Sequence, residues 1–140
     1  MADTAKNAKW TVEVTDRFAA DHKLEYHRGQ CRRLHGHTYE VTVMVTRKDG
    51  SLNDINMVVD LTPLRGALRR TLMPLDHSGK LLNELLCTAN PTCEIVAQNV
   101  AKVMGLYLAE RHEFSGLEIL RVTVSEAPGA TVAYYPGGLT

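Results

Sequence analysis

The sequence has no excess charge of either sign. Its 140 residues include 16 Lys and Arg against 16 Asp and Glu, giving a formal net charge of zero. Proteins that bind nucleic acid or anionic membranes through electrostatics usually carry a basic surplus or a basic cluster. We therefore expect neither a nucleic-acid partner nor a membrane partner.

Long apolar runs and a cysteine framework are also missing. No stretch approaches the roughly 18 apolar residues of a membrane span, and the polar segment 1–9 does not look like a secretion signal. Three irregularly spaced cysteines do not make a set of disulfides. We expect a cytoplasmic, reduced protein that forms a single domain over residues 1–140, with residues 1–8 as a flexible tail.

The segment 31–37, with the sequence CRRLHGH, carries the clearest chemical signal. It leads into residues 38–45, where apolar and polar residues alternate as they do in a half-buried β-strand. Residues two apart in a strand point to the same side. His35 and His37 are therefore predicted to share the inward face with Tyr39.

A third histidine falls on the inward face of the preceding predicted strand. Even-numbered residues from Trp10 onward are mostly apolar, with a possible irregularity near Asp16, and His22 lies on the same parity. Buried imidazoles need a partner, and three histidines with one open position are typical of catalytic zinc. The alternative is that these are hydrogen-bonded or solvent-exposed histidines at strand ends.

The rest of the chain predicts helices and further strands. Thr62 and Thr92 are suited to cap two helices, which end near Pro74 and His112. Further strands are predicted at 57–61, 117–126 and 130–135. The main elements follow the order β-β-α-α-β-β, which indicates the α+β class.

Four other residues have side chains suited to catalysis or ligand binding. Cys31 could be a fourth ligand, a base or a buried small residue, with adjacent arginines that favour the thiolate. Glu126 continues the inward parity predicted for Leu120, Val122 and Val124, where a carboxylate needs a partner or a ligand. Asp76 and His77 are either surface residues or a proton-transfer pair, depending on their distance from Cys31. Cys87 and Cys93 are interpreted as packing residues, and His27 and His112 as solvent-exposed.

Six short motifs follow one another along most of the chain. They are Phe18-Ala-Ala-Asp-His22, Cys31-Arg-Arg-Leu-His35-Gly-His37, Met57-Val-Val-Asp60, Leu75-Asp-His77, Asn90-Pro-Thr-Cys-Glu94 and Val124-Ser-Glu126. Each is weak alone. In this order they resemble the 6-pyruvoyltetrahydropterin synthase / 6-carboxytetrahydropterin synthase family.

The resemblance implies a T-fold (tunnelling fold), in which an antiparallel sheet is backed by two helices. It implies a homo-hexamer of two trimers with active sites between subunits. It also implies a zinc-dependent lyase acting on 7,8-dihydroneopterin triphosphate. The implied site residues are the zinc ligands His22, His35 and His37, the catalytic set Cys31, Asp76 and His77, and the pterin-binding residues Glu126, Thr92 and Glu94.

Two branches of the family differ in their product. The short spacing from Cys31 to His37 resembles the carboxy branch, which forms carboxytetrahydropterin, acetaldehyde and triphosphate on the route to queuosine and deazapurines. The alternatives are the pyruvoyl branch, a non-catalytic zinc- or pterin-binding paralogue, and a structural zinc protein with Cys31 as fourth ligand. A folate-type branch usually has Glu in place of Cys31. Leu61, Cys93 and the long segment 77–83 depart from the common pattern.

Overall fold

The computed structural model describes residues 8–139, so the predicted tail lies outside the described residues except for Ala8. Four strands form one antiparallel sheet in the order β1-β2-β3-β4. The elements are β1 (Val12–His22), β2 (His35–Arg47), α1 (Leu61–Leu72), α2 (Leu82–Leu85), α3 (Cys93–Glu110), β3 (Leu117–Ala127) and β4 (Ala130–Tyr134). The predicted order β-β-α-α-β-β is confirmed, with the short α2 added. No helix among the described residues could span a membrane.

Strands β1 and β2 pair without interruption along the whole of β1. Their register places His22 opposite His35 and Ala20 opposite His37. Stacked rings of Phe18 and Tyr39, with centroids 4.7 Å apart, pack the same inward face. The expected irregularity near Asp16 is therefore wrong. Because the register is unbroken, His22 lies on the same face of β1 as Phe18.

Helix α1 packs one apolar stripe against the sheet. Leu64, Leu68 and Leu72 are fully buried, as their spacing predicts. Its N-cap is Asp60, whose carboxylate accepts the Thr62 N–H, so the prediction of Thr62 as the cap is wrong.

The strand predicted at 57–61 is also wrong, because Val58 and Val59 form bends and Leu61 begins α1. The Asn53 side-chain carbonyl accepts the N–H groups of Ile55 and Met57. These short-range bonds hold the segment in a turn instead of an extended strand.

Helix α3 covers the other half of the sheet. Thr92 caps it by accepting the Ile95 N–H at 3.4 Å, as predicted. Val96, Val100, Met104 and Leu108 are buried along one stripe. Val103 lies off this stripe and is 42% exposed. The helix ends at Glu110, slightly before the predicted end at His112.

A bulge changes which residues of β3 face inward. Val45 pairs with Ile119 and Met44 with Arg121, so Leu120 is the extra residue of the bulge. Ile119 is buried in place of the predicted Leu120. Beyond the bulge, Val122 and Val124 are buried as predicted, and Glu126 follows on their parity. Trp10, predicted to face inward, precedes β1 and is 54% exposed.

Candidate metal centre and flanking cavities

Three histidine side chains converge where β1 ends and β2 begins. One ligand atom from each of His22, His35 and His37 lies within 4.8 Å of the others. The Nε2 atoms of His22 and His35 are 2.9 Å apart. The convergence follows from the register, because the three residues occupy same-face positions at the ends of paired strands.

Hydrogen bonds to backbone carbonyls fix the tautomers of two rings. His22 Nδ1 lies 2.9 Å from the Pro91 carbonyl oxygen, and His35 Nδ1 lies 2.6 Å from that of Arg33. A carbonyl oxygen only accepts, so each Nδ1 carries the hydrogen and each Nε2 presents a lone pair. Two lone pairs facing each other at 2.9 Å repel unless a cation lies between them.

Burial keeps His22 in the neutral form that ligates metals. Its side chain is 1% exposed, and this burial is the main cause that lowers its pKa, assisted by His35 and His37. The buried hydroxyl of Tyr39 lies 3.0 Å from His22 Nδ1 and adds to the contacts that hold the ring. Neutral imidazole with an oriented Nδ1–H is the usual state of a metal-ligating histidine.

Two buried polar atoms beside the histidines lack hydrogen-bond partners among the described residues. They are His37 Nε2 and Glu126 Oε2, which are 3.6 Å apart. Glu126 Oε2 is also 3.8 Å from His22 Nε2. Because buried polar atoms are nearly always paired, these two atoms are suited to contact a bound ion or another ligand. The three imidazoles could hold a metal ion, with Glu126 close beside it.

The first cavity lies on the His22 side of the cluster and has a volume of about 330 Å³. Its lining brings together five residues predicted from sequence. They are His22, Cys31, Thr92, Glu94 and Glu126. Cys31 is partly exposed in a short 3₁₀ turn at Gln30–Arg32, and its carbonyl accepts the Leu24 N–H at 2.8 Å.

The second cavity lies on the His37 side and has a volume of about 410 Å³. Its lining includes His37, His77 and Lys80. Cys31 does not line it. Cys31 and His77 therefore line different cavities.

The Asp76–His77 pair is hydrogen-bonded to the backbone of Ala19 in β1. His77 Nδ1 is 2.7 Å from Asp76 Oδ1, which also accepts the Ala19 N–H at 2.9 Å. The His77 N–H in turn donates to the Ala19 carbonyl, and His77 has a φ of 49°, in the left-handed region. The Ala19 N–H is the main cause that lowers the pKa of Asp76, with smaller contributions from His77 and Arg69.

Two residues near the site were missed by sequence reasoning. Cys93 is buried, as a packing residue should be, but it also lines the first cavity together with Glu126. Burial and the Glu126 carboxylate raise the pKa of the Cys93 thiol to about 12. The other is Arg69, whose guanidinium contacts Asp76. The even spacing of Leu64, Leu68 and Leu72 gave no indication of this contact.

Of the remaining predictions for cysteine and histidine residues, the one for Cys87 is wrong and those for His27 and His112 are confirmed. Cys87 is exposed with a φ of 52°, so its interpretation as a packing residue is wrong. His27 and His112 are exposed, as predicted. His27 also borders the first cavity, where its Nδ1 accepts the Gly29 N–H at 2.9 Å.

Comparison with known proteins identifies one family. Residues 11–137 match the family model described as 6-pyruvoyl tetrahydropterin synthase. A Synechocystis sp. protein named 6-carboxy-5,6,7,8-tetrahydropterin synthase is 35% identical over 110 residues, which cover 72% of this chain and 84% of the relative. A Halobacterium salinarum protein named "Probable 6-carboxy-5,6,7,8-tetrahydropterin synthase" is 32% identical over 126 residues, covering 82% and 79%.

A solved structure supports the same conclusion. The Caenorhabditis elegans 6-pyruvoyl tetrahydropterin synthase superimposes with a TM-score of 0.72 and 25% identity, covering 90% of this chain and 94% of that chain. The antiparallel sheet backed by two longer helices is thus the predicted T-fold. From the family match and these relatives, the chain belongs to the 6-pyruvoyl tetrahydropterin synthase family.

Proposed function

We propose that this protein is a zinc-dependent 6-carboxy-5,6,7,8-tetrahydropterin synthase. The reaction converts 7,8-dihydroneopterin triphosphate to carboxytetrahydropterin, acetaldehyde and triphosphate. One observation carries the proposal: three imidazoles converge, and His22 of this cluster lines one cavity with Cys31 and Glu126, while His37 and His77 line a second cavity. Relatives at 32% and 35% identity are named for this activity.

The proposed metal ligands are His22, His35 and His37. Three neutral imidazoles with an adjacent open side are the donor set of catalytic zinc, with Zn–N distances of about 2.0–2.1 Å. The orphaned Nε2 of His37 and the facing lone pairs of His22 and His35 fit this requirement. When bound, zinc supplies Lewis acidity toward the side-chain hydroxyls of the substrate.

Cys31 is the proposed base. Cys31 is partly exposed and lines the first cavity, and as thiolate it removes a carbon-bound proton from the substrate side chain. Asp76 accepts the Nδ1–H of His77, which leaves His77 Nε2 free to take up and return a proton. Because Cys31 and His77 line separate cavities, we propose that the complete site forms across a subunit boundary. A homo-hexamer of two trimers, as the family resemblance implies, provides such boundaries.

Glu126, Thr92 and Glu94 are the proposed pterin-binding residues. All three line the first cavity beside His22. Glu126 presents a buried carboxylate oxygen without a hydrogen-bond partner among the described residues, which suits it to accept the ring and amino N–H groups of a pterin. Cys93 lines the same cavity as this carboxylate. A cytoplasmic location is part of the proposal, since all three cysteines are free thiols.

Replacing Glu126 with glutamine is expected to raise the KM for the pterin substrate roughly tenfold to a hundredfold. The substitution removes a charge-assisted hydrogen bond, which contributes about 1.5–3 kcal/mol. Metal content should stay at the wild-type value, because the three imidazoles are untouched. Steady-state kinetics and elemental analysis test both points. Glu110→Gln, at the exposed end of α3, is the control, and loss of metal in Glu126→Gln would instead make Glu126 a ligand.

Product analysis tests the proposed reaction itself. Zinc-loaded protein is incubated with 7,8-dihydroneopterin triphosphate, and the products are identified by mass spectrometry. Carboxytetrahydropterin together with acetaldehyde is the expected result. A pyruvoyl product would assign the protein to the other branch of the family. No turnover by protein with bound zinc would contradict the proposal and leave a binding paralogue.

A further inference from the structure

Arg69 projects from α1 toward β1 and the loop that follows the helix. Its Nη1 lies 3.3 Å from an Asp16 carboxylate oxygen and donates to the Arg17 carbonyl at 3.1 Å. Its Nη2 donates to Asp76 Oδ2 at 3.3 Å. One guanidinium therefore joins the strand to the loop that carries the Asp76–His77 pair.

The contacts of Asp76 divide between its two oxygens. Oδ1 accepts from the Ala19 N–H and from His77 Nδ1. Oδ2 accepts from Arg69, the one donor to this oxygen in the described part of the chain. With Oδ1 shared by two donors, the contact at Oδ2 holds the carboxylate in the orientation that His77 needs.

We infer that Arg69 is a positioning residue for the Asp76–His77 pair. The inference rests on the proposed function, in which His77 moves a proton. A guanidinium holds Asp76 Oδ2, so that Oδ1 stays aligned with His77 Nδ1. The side chain of His77 is 78% exposed, so few other contacts hold the ring in place.

The chemistry of the contact calls for arginine. The planar fork of a guanidinium donates from separate nitrogens, and here Nη1 and Nη2 reach two carboxylates. The ammonium group of a lysine donates all its hydrogen bonds from one nitrogen atom. Without a positive group between them, the carboxylates of Asp16 and Asp76 would also repel each other.

Arg70 supplies a matched control on the same helix. It follows Arg69 directly, but its guanidinium lies 5.1 Å from the centroid of the Tyr107 ring. Replacement of Arg70 removes the same charge from the neighbouring position and leaves the contacts of Asp76 intact. Effects of net charge are thus separated from effects on Asp76.

Steady-state kinetics of Arg69→Ala, Arg69→Lys and Arg70→Ala test the inference. For Arg69→Ala we expect kcat to fall about tenfold to a hundredfold, the range seen when a group that orients a metal-ligating side chain is removed. We expect KM to change by less than about twofold, because no substrate contact is lost. Added guanidinium chloride should restore part of kcat in Arg69→Ala, and Arg69→Lys should be intermediate. Wild-type kcat in Arg69→Ala, or an equal loss in Arg70→Ala, would overturn the inference.

A second measurement does not depend on turnover. Nitrogen chemical shifts of the labelled His77 ring report its tautomer in the substrate-free protein. We expect Nδ1–H in wild type and in Arg70→Ala, and a mixture of tautomers in Arg69→Ala and Arg69→Lys. An unchanged tautomer in a folded Arg69 variant would overturn the inference. If wild type lacks turnover, the proposed function fails while this measurement still tests Arg69.

Discussion

Replacing Cys31 with alanine is expected to lower kcat by about a hundredfold to ten-thousandfold, the range that a positioned general base contributes. Cys31 lines the first cavity with Glu126 and His22. The other cysteine of this cavity cannot take over its role, because burial and Glu126 raise the pKa of Cys93 to about 12. Steady-state kinetics with mass-spectrometric product detection measure the loss.

Metal content decides how a loss at Cys31 is interpreted. We expect Cys31→Ala to bind zinc at the wild-type stoichiometry, because three imidazoles form the cluster without the thiol. Cys87→Ala is the matched control, since Cys87 is exposed and lines neither cavity. Wild-type turnover in Cys31→Ala would contradict its role as base.

Replacing His37 with alanine is expected to weaken metal binding by more than about a hundredfold and to abolish turnover at ordinary zinc concentrations. Removal of a group that only orients a ligand already costs tenfold to a hundredfold in affinity, so loss of the ligand itself should cost more. The side chain of His37 is 24% exposed, against 1% for His22, so replacing His37 disturbs the core less than replacing His22 would. Competition with a metal-binding dye measures the affinity.

His112→Ala is the matched control for His37→Ala, because it removes an exposed histidine outside both cavities. We expect it to keep metal affinity and turnover.

Removal of zinc from the wild-type protein with a chelator should abolish turnover while the fold persists. The sheet and helices bury their own apolar core, including Leu68, Val100 and Val122, without help from the histidines. Unfolding on chelation would indicate a structural metal site.

Much of the site could be predicted from alternation along two strands. The inward parity of His22, His35 and His37 held because β1 and β2 pair in an unbroken register from Val12 to His22. A period of two is a direct consequence of strand geometry, so it survives without knowledge of the tertiary fold. The parity of Glu126 held as well, although the bulge at Leu120 changed the facing residue earlier in β3.

The features that could not be predicted depend on contacts between residues that the alternation of apolar and polar residues does not indicate. The bulge at Leu120 requires the partner strand, and the bends at 57–61 depend on side-chain bonds from Asn53. Arg69 lies 53 residues from Asp16 in sequence, so its contact appears only when α1 packs against β1. Alternation also does not give the relation of Cys31 to His77, and the two residues line different cavities.

X-ray absorption at the zinc edge tests the central claim most directly, because it reads the ligands of the metal in the unmodified protein. Our account predicts nitrogen and oxygen scatterers only, with the imidazole nitrogens at about 2.0–2.1 Å. A sulfur scatterer at about 2.3 Å would place Cys31 on the metal and close the site. That result would contradict an open catalytic centre and favour a structural zinc protein.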